Sequence, residues 1–422
     1  MQKNKTSDAQ AHKVAFLAGT GGMLEFYDFI LYILFSAQIQ AQFFDSIESD
    51  YLKDIVTIAV FSVAYIVRPI GGFLVGWMGD NIGRKKSFAF TILVMSACML
   101  LMGIMPSYAQ WGIVAPILFI ILRIIQGLAL GGELPGAIVF VYESVERKGI
   151  ALGILFTMVF AGFTLGDVMS LFFHYAFGDL AWRAAFISGS FIALVGFYIR
   201  SHLSETKMFL ALEEKQKFPL KTILENHSRA LLATILIVVI VAFDGVMVSL
   251  YLPKYLTTHL GIAHEYVRHI LVGVSIVGLV VIFISGFLSD FVDYIKLYKA
   301  AAWLLMFMSY PAYYLLSKGV EHNGYVLAGL LIVVVIPAIS TGIFMRIICD
   351  AFSTSVRFSG VAMAYNLSFA LVGGIAPLLS EVSIKLMGPV SGAAVIGVIC
   401  AILTLIGIFL LHPKALRPQV EE

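Results

Sequence analysis

Glu25 and Asp28 stand one helical turn apart inside the apolar run 14–43, and Tyr32 follows on nearly the same helical face. An isolated carboxylate in lipid costs about 3 kcal/mol even on the mildest insertion scale, so each must face protein, water or a cation. Burial favours the neutral form of a carboxyl group, which makes Glu25 and Asp28 candidate proton carriers; a permanently ionised brace between helices is the alternative. Arg123 lies deep in the run 112–142, with Gln126 on its stripe and Glu133 further along. An arginine there keeps its charge and has to meet a carboxylate, on the protein or on a substrate. Depth makes Asp28 the expected protein partner and Glu25 the close alternative, and a competing substrate would couple binding to the state of that carboxylate. Arg68, in the run 54–78, is a candidate carboxylate contact or a snorkelling stem. Glu133, just ahead of Pro135, is a candidate proton relay or a partner for Arg68. Asp244 is the clear buried charge of the later chain, and Tyr365 and Asn366 offer neutral hydrogen bonds. With Tyr32, Arg68, Arg123 and Gln126 these complete the candidate solute-binding set. Asp167, toward the end of its run, fits an entrance or a capping role equally.

The elements that must position these residues are membrane helices. Of 422 residues 60% are hydrophobic and only 13% charged, with mean hydropathy +0.94. A soluble domain is nearer half apolar and a quarter charged, so lipid must cover the excess. Apolar runs cover 14–43, 54–78, 87–106, 112–142, 149–175, 184–200, 230–252, 267–289, 298–317, 325–348, 357–381 and 389–412. Twelve crossings follow, an all-α membrane protein. Outside the spans, Lys and Arg concentrate on one side: the other carries only Lys53, Arg183, Lys254, Arg268, Lys318 and Lys385, while Arg68 and Arg123 stay within spans. That bias places both termini in the cytoplasm of a bacterial inner membrane. The polar start, MQKNKTSDAQAHK, reads as a tail entering a retained first helix, not as a cleaved signal.

The longest hydrophilic stretch, 201–229, mixes both charge signs and reads as a solvated linker between six-helix halves at 1–200 and 230–422. Gly76-x-Met78-x-Asp80 ends the second run and Gly286-x-Leu288-x-Asp290 ends the eighth, as parallel repeats around a central solute site would. After the first copy come Gly83-Arg84-Lys85-Lys86, whose glycine permits a tight turn. The second copy has Asp293-Tyr294 where Gly-Arg would be expected, which predicts a weaker or different latch. Asp80, Arg84, Glu143 and Arg147 are the candidate conformational-gate residues: Asp80 pairing with a helix terminus or an arginine, Arg147 or Lys148 meeting Asp80 or Glu143. A plain topology loop is the alternative.

The first motif resembles the signature between the second and third helices of the major facilitator superfamily. Glu25-Phe26-Tyr27-Asp28-Phe29-x-x-Tyr32, Arg68-Pro69-x-Gly71-Gly72 and Arg123-x-x-Gln126-Gly127-x-x-x-Gly131-Gly132-Glu133 resemble its metabolite:proton symporters. So do Trp182-Arg183, Arg357-Phe358-Ser359-Gly360-x-x-x-x-Tyr365-Asn366 and Gly373-Gly374-x-Ala376-Pro377. The resemblance spans most of the chain and implies a twelve-helix major facilitator fold built from two six-helix halves. It also implies proton-coupled uptake of a solute such as proline, betaine, citrate, shikimate or 2-oxoglutarate. Two features depart from the family: Lys207 follows Ser204-Glu205-Thr206 where proline is usual, and the tail after Leu411 is too short for the coiled coil of osmosensory members.

The expected function is secondary active uptake of a small carboxylate or zwitterionic metabolite by proton symport, with an exchanger or exporter of the same fold as alternative. No phosphate-cradling loop points to ATP, and no reaction constellation points to an enzyme. Cys98, Cys349 and Cys400 read as small apolar residues, and the histidines lack metal-ligand spacing. The expected partners are solute and lipid, with no metal, no cofactor beyond a coupling proton and no nucleic acid, the chain acting as a monomer.

Overall fold

A computed structural model describes residues 2–45, 47, 49–201, 204–213, 216–320 and 322–411, with the side chains of 2–13, Glu25, Phe29, several residues of 50–65, and 199, 200 and 320 outside the description. The helices are α1 Gln2–Leu34, α2 Asp50–Ile66, α3 Arg68–Asn81, α4 Arg84–Ile104, α5 Val114–Ser144, α6 Lys148–Phe177 and α7 Ala181–Ser201. After short linker helices come α8 Ser228–Phe243, α9 Leu252–Thr258, α10 His264–Leu288, α11 Tyr294–Ser317, α12 Asn323–Asp350 and α13 Arg357–Leu410. Short helices Ser36–Phe43, Tyr108–Trp111, Lys207–Leu210 and Pro219–Asn226 occupy connections.

Among the described residues, eight helical stretches are long and apolar enough to cross a membrane. The stretch Arg357–Leu410 has 54 residues, about 80 Å of helix, more than twice the hydrocarbon thickness. It breaks at Gly388, whose φ of +83° lies in the left-handed region that glycine tolerates, with Pro389 next. Two further breaks bear on the site. The helix containing Arg68 restarts after Val67, and Pro69 sits in the first turn, where its missing N–H costs no hydrogen bond. The seventh apolar run is not one α-helix: α8 passes into a π-helical stretch, Asp244–Tyr251, before α9.

The interior is packed by Leu, Val, Ile, Phe and small residues, while Ile66, Leu171, Leu386 and Phe409 stand well exposed on the outside, as lipid solvation requires. Within residues 2–201, α1 packs on α6, α3 and α4 on α5, and α4 on α7; within 228–411, α8 and α11 pack on α13, and α10 and α11 on α12. Two seams join these groups, α3 against α13 and α6 against α10. Both are lined by glycine. A Cβ on Gly76 would stand 2.8 Å from the Ser359 Cα, and one on Gly153 would stand 3.1 Å from the Gly286 Cα. Backbone-to-backbone approach of this kind is how helices gain dispersion contact in lipid, where the hydrophobic effect supplies no driving force. All three cysteines are buried and free.

The tightest crossing, α3 on α5, generates a stability prediction. A Cβ on Gly131 would collide with the backbone at Arg68, Gly71 and Gly72, whereas one on Gly374 meets nothing within 4 Å. Gly131→Val should destabilise the purified chain by about 1–3 kcal/mol through overpacking, and Gly374→Ala should not. Thermal unfolding followed by fluorescence checks this, and an unchanged midpoint for Gly131→Val would refute the tight crossing.

Candidate functional site

Arg123 is 2% exposed on α5, and its Nη1 lies 3.4 Å from Asp28 Oδ2 on α1. The same nitrogen donates to Gln126 Oε1 at 2.7 Å, and the guanidinium sits 4.3 Å from the centre of the Tyr32 ring. Tyr32 is fixed in turn by donating to the Thr57 carbonyl at 2.9 Å, which ties α1 to α2. Among the described residues, Asp28 Oδ1, Arg123 Nε and Gln126 Nε2 are buried without a hydrogen-bond partner. Orphaned buried polar atoms are rare in folded proteins and call for an explanation. Here they are one acceptor and two donors aimed around a single charge pair. Glu25 belongs to the same helix, and its side chain lies outside the described residues.

A second cluster lies on the α3–α13 seam. Arg68 Nε donates to Asn366 Oδ1 at 3.3 Å, with the Tyr365 ring centre 5.9 Å from the guanidinium. Asn366 Nδ2 donates to the Gly131 carbonyl at 2.6 Å, so one amide joins α3, α5 and α13. Glu133, read as a proton relay or a partner for Arg68, is fully buried and accepts from Thr91 on α4. Asp244, at the start of the π-helical stretch, accepts from Thr341 on α12 at 2.7 Å. Asp167 is exposed near the end of α6.

The gate residues converge at one end of the bundle. Asp80 is fully buried and accepts from the backbone N–H groups of Phe358 and Ser359 at 3.2 and 2.9 Å, the free donors that open α13. A carboxylate at a helix N-terminus gains from both hydrogen bonds and dipole. Arg84 Nη1 holds Asp80 at 3.0 Å, and its other nitrogens reach Glu143 at 3.2 Å and the Thr354 carbonyl at 2.5 Å. Arg357 closes the network with Glu143 at 2.8 Å, and Thr206 of the connection donates to the same carboxylate. Arg147 and Lys148 were expected as partners of Asp80 or Glu143. The structure gives those carboxylates to Arg84 and Arg357 instead, and Lys148 sits over the Tyr142 ring at 3.6 Å. The reason is position: Arg357 opens α13 at the seam, whereas Arg147 precedes α6 on the flank.

The second copy of the motif is different but not weak. Asp290 accepts from Gly149 and Ile150 N–H at 2.8 and 3.0 Å, capping α6 as Asp80 caps α13. Its arginine, Arg346, comes from α12 at 3.2 Å, a partner the local sequence could not show. Tyr294, standing where arginine was expected, donates to Asp350 at 2.9 Å. Arg346, Arg357, Asp350, Thr341 and Glu381 were not picked out as site residues. Glu381 accepts from Tyr251, Lys254 and His259 at 3.0 to 3.1 Å. Their signal was present, as polar residues inside or at the edge of apolar runs.

Such a bundle, with charges paired at depth and glycine seams closed by carboxylate caps, is that of a polytopic membrane transporter. The chain belongs to the Major Facilitator Superfamily, whose family description it matches over residues 19–377. Among curated relatives, the proline/betaine transporter of Salmonella typhimurium is 31% identical over 415 residues, 93% of this chain and 82% of the relative. The glycine betaine/proline/ectoine/pipecolic acid transporter OusA of Dickeya dadantii is 30% identical over 392 residues, 88% of this chain and 77% of the relative. Among solved structures, the proton:xylose symporter XylE bound to 6-bromo-6-deoxy-D-glucose superposes with TM-score 0.78 at 16% identity, covering 96% of this chain and 95% of that one. XylE from E. coli in a partially occluded inward open conformation gives 0.67 at 17% identity, covering 96% and 98%.

The caps predict a conformational phenotype. Asp80→Asn loses charge-assisted hydrogen bonds worth about 1.5–3 kcal/mol each, enough to shift the closed-to-open ratio at this end by roughly tenfold or more. Spin-label distances across the ends of α3 and α13 should therefore lengthen in the variant. Distributions identical to those of the parent chain would remove the latch.

Proposed function

We propose that this transporter takes up a small carboxylate or zwitterionic solute together with protons, by alternating access. The observation that carries the reading is the Asp28–Arg123–Gln126 cluster, a buried charge pair with one acceptor and two donors left over among the described residues. A solute carboxylate can accept two parallel hydrogen bonds from an arginine fork, which makes it a competitor for Asp28. Displaced from Arg123, Asp28 stands buried without its cation, and a proton neutralises it most cheaply. Solute and proton then enter together because each removes the cost of the other. Glu25 and Glu133 are the further proton-coupling candidates. Arg68, Asn366 and Tyr365 extend the solute surface, with Tyr32 and Tyr365 offering ring faces to a cationic nitrogen. Proline and betaine, named for the relatives, each carry a carboxylate and a cationic nitrogen, which agrees with such a surface.

The bundle fits twelve crossings. The stretches Lys148–Tyr198 and Arg357–Leu410 each supply two, and α2–α3 and α11 add the remaining two to the other six. On this reading residues 1–200 and 230–422 form six-helix halves joined by the linker 201–229, and the seams α3–α13 and α6–α10 are where they rock. The lysine and arginine bias puts the Asp80 and Asp290 caps, and both termini, on the cytoplasmic side of a bacterial inner membrane. With both caps formed, that side is closed, and the solute site is reached from outside.

Two measurements test the proposal. Vesicles containing purified protein should concentrate proline or betaine when the outside is acidic, and a protonophore should abolish the accumulation; accumulation indifferent to both gradients would overturn symport in favour of exchange. Arg123→Lys, which keeps the charge but loses the planar fork, should weaken transport about tenfold to a hundredfold with insertion intact. A neutral sugar as sole ligand, bound at full strength by both Arg123→Lys and Arg68→Gln, would sink the carboxylate site.

A further inference from the structure

Asp244 is a buried carboxylate, 3% exposed, on the far side of the bundle's chemistry from the Asp28 cluster in sequence, and nothing above uses its acidity. It opens the π-helical stretch Asp244–Tyr251, a rare widened geometry that concentrates at functional positions. Its one hydrogen-bond donor among the described residues is the Thr341 hydroxyl at 2.7 Å, and no described cation pairs with it.

The charged groups on the elements packed around it are committed elsewhere, apart from Lys385 on α13, which is exposed. On α12, Arg346 pairs with Asp290 and Asp350 accepts from Tyr142 and Tyr294. On α13, Arg357 pairs with Glu143, and Glu381 takes Lys254, His259 and Tyr251 from the end of the seventh run. Arg229, at the start of α8, donates to the Leu410 carbonyl. The Tyr365 ring lies tilted against Phe369 with centres 4.4 Å apart, and Cys349 is buried.

Burying an unpaired charge is costly, and the hydrogen bonds around Asp244 accommodate its neutral form. Thr341 has a single hydroxyl proton, and its Oγ1 lies within reach of two oxygens: Asp244 Oδ2 at 2.7 Å and the Pro337 carbonyl at 3.2 Å. If Asp244 is ionised, the threonine O–H donates to it, and the Pro337 carbonyl keeps the backbone N–H of Thr341, one helical turn on, as its donor. If Asp244 is protonated, its O–H donates to Thr341 Oγ1 and the threonine O–H donates to Pro337. Every group in that chain is then satisfied. A hard metal cation would need about six oxygen ligands, and this cluster holds too few.

We propose that Asp244 is a second proton-binding site, separate from the Asp28 cluster, occupied while the bundle is closed around it. Release breaks the carboxyl O–H bond heterolytically: the electron pair stays on the carboxylate and the proton passes to water admitted when the π-helical stretch moves against α12. The site goes beyond the first-half coupling and does not depend on which solute is carried.

Infrared difference spectroscopy of the full chain in lipid, switched between acidic and alkaline buffer, tests it. The stretching band of a protonated carboxyl group should be present in the parent chain and in Asp28→Asn, and lost in Asp244→Asn. Thr341→Val, which removes only the hydrogen-bond partner, should shift the same band to higher frequency, and it carries the test if Asp244→Asn fails to fold. A spectrum unaltered by Asp244→Asn, or unshifted by Thr341→Val, overturns the proposal. So does a sodium-specific rise in melting temperature that Asp244→Asn abolishes, which would make the site a metal site. Failure of proton-driven accumulation in vesicles bears on symport and leaves this band untouched, so the two readings fail separately.

Discussion

An ionised side chain inside a hydrocarbon slab has to meet its opposite charge within the protein, and this bundle is arranged around that requirement. Arg123 brings α5 to α1 through Asp28 and to Tyr32, which α2 fixes in turn. Arg68 brings α3 to α13 through Asn366. Each guanidinium is therefore a fastener between helices that no hydrophobic effect pulls together in lipid. The Asp28–Arg123 pair is held at 3.4 Å, with buried polar atoms on both partners that no described residue satisfies.

The seams show how the requirement becomes a mechanical device. The first backbone N–H groups of α13 and α6 have no intrahelical partner. Asp80 and Asp290 supply acceptors across the seam, and glycines at both crossings let the backbones come close enough for a short side chain to reach. Each cap has an arginine, but from different places: Arg84 follows Asp80 by one turn, while Arg346 reaches Asp290 from α12. The first cap is accordingly assembled partly within its own loop. The second binds α6, α10 and α12 into one contact. The linker joins the first network as well, since Thr206 and Arg357 share Glu143.

The deeper sites differ in chemistry. The Asp28 cluster is a charge pair, whereas Asp244 is a solitary acid with a hydroxyl neighbour and no cation among the described residues. Carboxylates in such different surroundings need not do the same work. Helix geometry follows the division. α1 and α5 run regularly past the pair, while the backbone at Asp244 widens into a π-helical stretch.

By itself the sequence determined that the chain is a helical membrane protein, where its main apolar runs lie, and which charges are costly enough to demand partners. Hydropathy and the price of buried charge are local properties, legible residue by residue. It offered Asp28 as the partner for Arg123 with Glu25 a close alternative, because matching depth in two spans narrows a contact to neighbouring residues, and the fold pairs Arg123 with Asp28. It did not show that Asp80 would cap α13, that Arg357 and not Arg147 would meet Glu143, or that Arg346 would rescue a motif copy lacking its own arginine. Nor did it show Thr341 against Asp244 or the π-helical stretch that Asp244 opens, because a run as uniformly apolar as 230–252 carries no periodicity from which to tell α from π geometry. Those contacts join residues from 56 to 279 positions apart, and which helix faces which across a seam is set by glycine-permitted approach of whole helices. Only the folded bundle decides that, since lipid offers every apolar face the same welcome and leaves packing to choose among them.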